Sequence, residues 1–207
     1  MATTTKPAAR AATKEGDGKI AKPDSEVFAN SVDMKREART ESIRELNKLL
    51  ADVFDLMSQT KQAHWNIKGP RFIGLHKLFD EFAEGLEDYI DMIAERITAL
   101  GGYALGTARM AANSSRIPEY PTDVIMDLDH VRALSERYAV FANTTRTAIN
   151  ATDEAGDRDT SDLLTDVSRD VDKWLWFLEA HLQAPPGEPG LAHTANRPNG
   201  QSNQSGH

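Results

Sequence analysis

The sequence predicts an all-α protein: a four-helix bundle with a short additional helix in the long connection between its second and third helices. Three observations lead there. Apolar residues recur at alternating steps of three and four in four separate runs, the spacing of amphipathic helices packed face to face. The alternation by twos that marks a half-buried strand is missing. The pairs Gly69-Pro70, Gly101-Gly102 and Pro185-Pro186 fall at the ends of runs, where helices stop.

Taken in order, the chain opens with a basic arm over residues 1–28. Lys6, Arg10, Lys14, Lys19 and Lys22 stand against Glu15 and Asp17 in an Ala-, Thr- and Gly-rich setting that cannot bury a core, so disorder is expected. The bundle is expected over residues 29–183. Its first helix follows Ile43, Leu46, Leu50, Val53 and Met57, and the same stripe continues through Thr60 to His64. The second runs through Phe72, Leu75, Phe79, Phe82, Leu86, Ile90, Ile93, Ile97 and Leu100. From Gly101 to about Thr122 the link is too long for a tight hairpin, and "TARMAANSS" within it predicts a short crossing helix. The third helix follows Leu128, Val131, Leu134, Tyr138 and Phe141, with Ile149 beyond, and the fourth follows Leu164, Val167, Val171, Trp174, Leu178 and Leu182. Residues 184–207, rich in Pro, Gly, Asn and Ser and nearly uncharged, read as a flexible tail.

Composition narrows the chemistry. A chain of 207 residues supports one compact domain. Without cysteine there is no disulfide and no thiolate metal site, so any metal is held by nitrogen and oxygen, and a reducing, cytoplasmic setting is favoured. No apolar run reaches the ~20 residues of a membrane span, and the start of the chain lacks the apolar core of a signal peptide. The formal net charge of -8 argues against nucleic-acid binding by the body of the protein itself.

The second helix carries the chemical signal. At 100° per residue, His76, Asp80, Glu84, Glu87, Asp91 and Glu95 form a stripe separate from the apolar face. Such a stripe commonly just meets water. Here, however, no Lys or Arg on this helix interrupts the stripe between Asp80 and Arg96, and carboxylates one turn apart repel unless a cation joins them. His64, on an apolar stripe, also needs a partner. A histidine in that position is more often a satisfied core residue than a ligand, but two of them flanking a tight break and followed by paired acids favour a metal. Asp91 and Glu95, four apart, can close on one ion. Nitrogen and oxygen ligands suit Fe(II), Mn or Zn, and iron best fits an oxidative role.

His76 and Asp91 lie fifteen positions apart on one helix, about 22 Å at 1.5 Å per residue, and cannot grip one ion within a chain. No glutamate here has a histidine three positions later, the motif by which ferritin-type bundles complete a site inside one subunit. A twofold dimer solves the problem by setting the histidine end of one second helix against the acid end of its partner.

"HWNIKGPRFIGLHKLFDEF" followed by "YIDMIAERITALGG", with "SRDVDKWLWFLEAHL" in the last helix, resembles the Dps family, the mini-ferritins known as DNA-binding proteins from starved cells. The resemblance covers about Arg39 to Gln183. It implies a ferritin-like hollow dodecamer with metal sites at twofold interfaces, His64 and His76 coming from one subunit and Asp91 and Glu95 from its neighbour. Asp80 matches an acid of the second shell or of a second metal, giving a di-iron or mono-iron site in which Zn or Mn can replace iron. Trp65 matches the aromatic beside the site, where it can pass an electron; plain packing of the ring is the alternative. The implied activity is that of a ferroxidase: oxidation of Fe(II), preferably by hydrogen peroxide, and storage of Fe(III).

In this family the start of the fourth helix lines the threefold pores, so Asp157, Asp162 and Asp166 are the expected ion entrance, although Arg158 breaks an all-acidic ring and acids there also serve as helix caps. The family is also tied to DNA condensation, the stress response and the nucleoid. That role falls here to the arm residues Lys6, Arg10, Lys14, Lys19 and Lys22, touching phosphates non-specifically. Two other readings stay open: iron detoxification without DNA binding, and a non-catalytic, DNA-compacting or structural shell in which the same residues only stabilise the dimer.

Overall fold

The computed structural model describes residues 28–184, and the arm residues Lys6 to Lys22 and the tail from residue 185 lie outside them. Five helices follow in order: α1 (Arg36–Asn66), α2 (Phe72–Ala99), α3 (Ala108–Ser114), α4 (Asp127–Ala155) and α5 (Arg158–Ala180). The fold is the expected all-α, ferritin-like bundle, with α3 as the short helix of the long connection. α1 packs along α2 and α4 along α5, and α1 faces α4 across the core. Leu46, Leu50, Phe79, Phe82, Tyr138, Phe141, Leu164 and Val171 are all fully buried there, which places the three-and-four stripes of the four long helices against one another. Phe72 is a difference: it belongs to the apolar pattern but is exposed, because at the first turn of α2 it lies beyond the core and stacks on His76 instead. α5 ends at Ala180, several residues before Pro185, so the prolines do not set its end.

The connection from α2 to α4 is tied to α1 by side chains that the apolar pattern does not report. Asp52, fully buried, accepts from the Arg116 backbone N–H at 2.7 Å and from its guanidinium at 2.6 and 3.0 Å. Asn47 accepts from Leu105 N–H and donates to Tyr103 O, and Gln59 donates to Pro118 O. The start of the described chain is pinned as well. Phe28 N–H donates to Gly101 O at 2.6 Å and Asn30 Nδ2 to Ala99 O at 3.1 Å, so the first described residues lie beside the C-terminal end of α2. Gly101 permits this with φ +86 and no side chain, since a Cβ would come within 2.3 Å of Phe28 O.

Candidate metal centre

α1 ends two residues after His64, and α2 begins four residues before His76. Between them Gly69 takes φ +127, outside the range of most side chains. The turn brings the histidines together: their rings stack with centroids 3.8 Å apart at 17°. Each ring bonds the main chain of the other, His64 Nδ1 to His76 O at 2.7 Å and His76 Nδ1 to His64 O at 2.8 Å. A carbonyl only accepts, so both Nδ1 atoms carry hydrogen. In the neutral rings both Nε2 atoms are therefore left with their lone pairs, the state in which imidazole ligates a metal.

Asp80 lies one turn beyond His76, its Oδ1 2.5 Å from Lys61 Nζ and 3.8 Å from His64 Nδ1. The Lys61 hydrogen bond holds the Asp80 carboxyl below the usual carboxylate range, helped by the nearby His64 and His76. The cation missing from the acid stripe at this point is thus a lysine of α1. Lys61 was legible, since it sits three residues before His64 and so on the same side of its helix.

Asp91 and Glu95 are exposed further along the uninterrupted α2 and make no ion pair among the described residues. Within the chain, among the described residues, no group of three or more His, Asp or Glu is placed to hold a metal. The chain thus presents a nitrogen pair and an oxygen pair, separated along α2 by about 22 Å.

Trp65 is 64 % exposed, so within the subunit its ring is not a core packing element. It borders an open cleft of about 650 Å³ shared with Gln62, Gln59 and Tyr120.

The acids at the start of α5 divide. Asp162 is exposed, and Asp166, also exposed, pairs with Arg169 at 2.6 Å. Asp157 is fully buried and caps α5: its carboxylate accepts from Thr160 N–H at 3.0 Å and Thr160 Oγ1 at 2.6 Å and pairs with Arg96 at 2.8 Å. With its oxygens so engaged, Asp157 is a structural cap, and the expectation that it lines an ion entrance is corrected. Burial alone would push its carboxyl up, but the Thr160 hydrogen bonds and the Arg96 guanidinium outweigh that and hold it below the ordinary value of about 3.9. A depressed native pKa stabilises the fold above the unfolded-state value and is lost as pH falls through the native one. Below about pH 4, therefore, Asp157→Asn is expected to lose less stability per pH unit than the wild type, measured by urea unfolding at a series of pH values. Parallel slopes would remove Asp157 from the acid response.

A family model described as the ferritin-like domain matches residues 43–186. The DNA protection during starvation protein of Agrobacterium fabrum is 50% identical over 151 residues, covering 73% of this chain and 93% of the relative. Among solved structures, Mycobacterium smegmatis Dps superposes with a TM-score of 0.74 at 28% identity, over 77% of this chain and 98% of that one. DpsC of Streptomyces coelicolor gives 0.72 at 33%, over 77% and 94%. No described helix is long and apolar enough to cross a membrane. Sequence, bundle and neighbours agree that this chain belongs to the Dps family of ferritin-like proteins.

Proposed function

We propose that the protein is a peroxide-consuming ferroxidase and iron store that protects DNA, working as a dodecamer with its metal sites at twofold interfaces. The observation that carries this reading is the cross-bonded histidine pair, which leaves two Nε2 lone pairs to a metal on a subunit whose own Asp91 and Glu95 lie too far along α2 to join them. His64 and His76 of one subunit and Asp91 and Glu95 of its neighbour complete the set, and two carboxylates offset the charge of an incoming Fe(II). Asp80, freed from Lys61, offers a further oxygen. Two Fe(II) each give one electron to hydrogen peroxide, its O–O bond breaks, and two protons are taken up to leave two waters. Paired electron delivery avoids hydroxyl radical, and Trp65, next in sequence to His64, supplies an electron when only one iron is bound. Asp162 and Asp166 draw cations toward the cavity.

Anaerobic loading with Fe(II) followed by hydrogen peroxide tests the reaction. About one peroxide consumed per two irons is the expected stoichiometry, with little radical trapped. Oxidation no faster than in protein-free buffer would leave the histidines structural and the compacting shell as the better account.

DNA protection in the cytoplasm, close to the nucleoid, adds a second function that rests on the basic arm. Deleting residues 1–25 is expected to abolish the mobility shift of duplex DNA while leaving iron oxidation unchanged, and the full-length shift should fade steeply between 50 and 200 mM salt. An unchanged shift after deletion would leave iron detoxification alone.

A further inference from the structure

Asp127, the first residue of α4, grips the turn that joins the two histidines. Its Oδ2 accepts from the Arg71 backbone N–H at 2.9 Å and lies 3.6 Å from Arg71 Nη1, while Oδ1 accepts from Leu128 N–H at 2.8 Å. The carboxyl is 3% exposed and packs directly on Gly69, where a Cβ would come within 2.8 Å of its Cγ. Beside it, Lys68 N–H donates to Ile125 O at 3.2 Å, so two points on the approach to α4 hold the same turn.

The consequences reach the site through rigid elements. Arg71 is the N-cap of α2, and His76 stands five residues later on that helix. His64 stands two residues before the end of α1. The turn thus sets both the slide and the rotation of α2 against α1, and each histidine bonds a carbonyl on the other helix at 2.7 or 2.8 Å. A small slide or rotation breaks both bonds at once. The Asp127 carboxyl stays an ionised acceptor at neutral pH: burial would raise its pKa, but the Arg71 and Leu128 backbone bonds and the Arg71 guanidinium lower it further. None of these bonds is with a histidine.

We propose that Asp127 is a positioning residue for the metal centre, which holds the α1–α2 turn in the register that aligns the Nε2 atoms of His64 and His76. The inference rests on the metal-site reading given above and adds to it a residue from a helix that supplies no ligand. It is the placement of an acceptor oxygen that matters, not the negative charge.

Co(II) added alone to the metal-free, full-length protein in its native oligomer gives a readout separate from iron oxidation. His64→Ala is the reference for loss of the site. Asp127→Ala is expected to weaken Co(II) binding by about tenfold, the low end for outer-shell partners of a metal site, and to change the visible ligand-field spectrum. Asp127→Asn keeps an oxygen for the Arg71 N–H, giving up only the Leu128 bond and the charge contact with the Arg71 guanidinium, and should restore affinity and spectrum close to wild type. Asp127→Glu keeps the charge but shifts the oxygen by a methylene, and should behave like the alanine variant. Wild-type binding in Asp127→Ala overturns the proposal, as does a normal Glu variant beside a defective Asn variant. Where Asp127→Ala does not assemble, the Glu and Asn variants carry the test. If His64→Ala binds Co(II) as the wild type does, it is the metal-site reading that fails.

Discussion

His64→Ala and Asp91→Asn are each expected to lose peroxide-dependent Fe(II) oxidation by at least about 100-fold, and a mixture of the two to regain part of it. In a twofold dimer with one mutant of each kind, one site combines both defects and the other combines neither. Random pairing of equal amounts makes half the dimers mixed, and half the sites in those are intact, so co-refolded protein should reach about one quarter of the wild-type rate. Simple mixing without dissociation should restore nothing. The recovery has no counterpart if each subunit holds a complete site, because neither mutant chain then contains one. A mixture as inactive as its parents would sink the intersubunit arrangement, and full activity in Asp91→Asn would remove the carboxylates from the chemistry altogether.

Asp52→Ala is expected to give the largest loss of stability among single polar substitutions. The carboxylate is fully buried and holds the Arg116 backbone N–H, the Arg116 guanidinium and, at 3.3 Å, the Thr144 hydroxyl. Its removal leaves the Arg116 donors without their acceptor, a cost of about 3 kcal/mol, somewhat relieved because the Arg116 guanidinium reaches solvent, while the Thr144 hydroxyl keeps its bond to Phe141 O. Arg116→Ala leaves the buried carboxylate with fewer donors and should also destabilise, while the double variant should cost less than the sum because the two share one interaction. Urea unfolding at neutral pH measures all three. A loss below about 0.5 kcal/mol in Asp52→Ala would mean that the connection is held elsewhere. Its consequence for the site is local, since the same connection supplies Tyr120 to the cleft beside Trp65.

The sequence determined the helical class, the short helix in the connection and the core-facing stripe of each long helix, because apolar spacing at three and four is a local property of each segment; the helix ends were less legible, α1 beginning at Arg36, ahead of Ile43, and α4 running past Ile149 to Ala155. It also determined that His76 and Asp91 of one chain cannot grip one ion, since the rise of an α-helix fixes the distance between them before any packing is known. The paired histidines were legible as residues but not as geometry. Their stacking, and the exchange of Nδ1 bonds that fixes the tautomer of both rings, depend on how α1 and α2 meet across the Gly69 turn. Asp157 looked like one more acid in an acidic stretch, and only its burial against Arg96 and Thr160 made it a cap. Asp127 gave no local signal at all: its partner Arg71 is 56 positions away. Amphipathic patterns record which face of a helix meets the core, whereas the pairing of a buried polar group depends on which distant segment the fold brings within about 3 Å, and that is decided by tertiary structure alone.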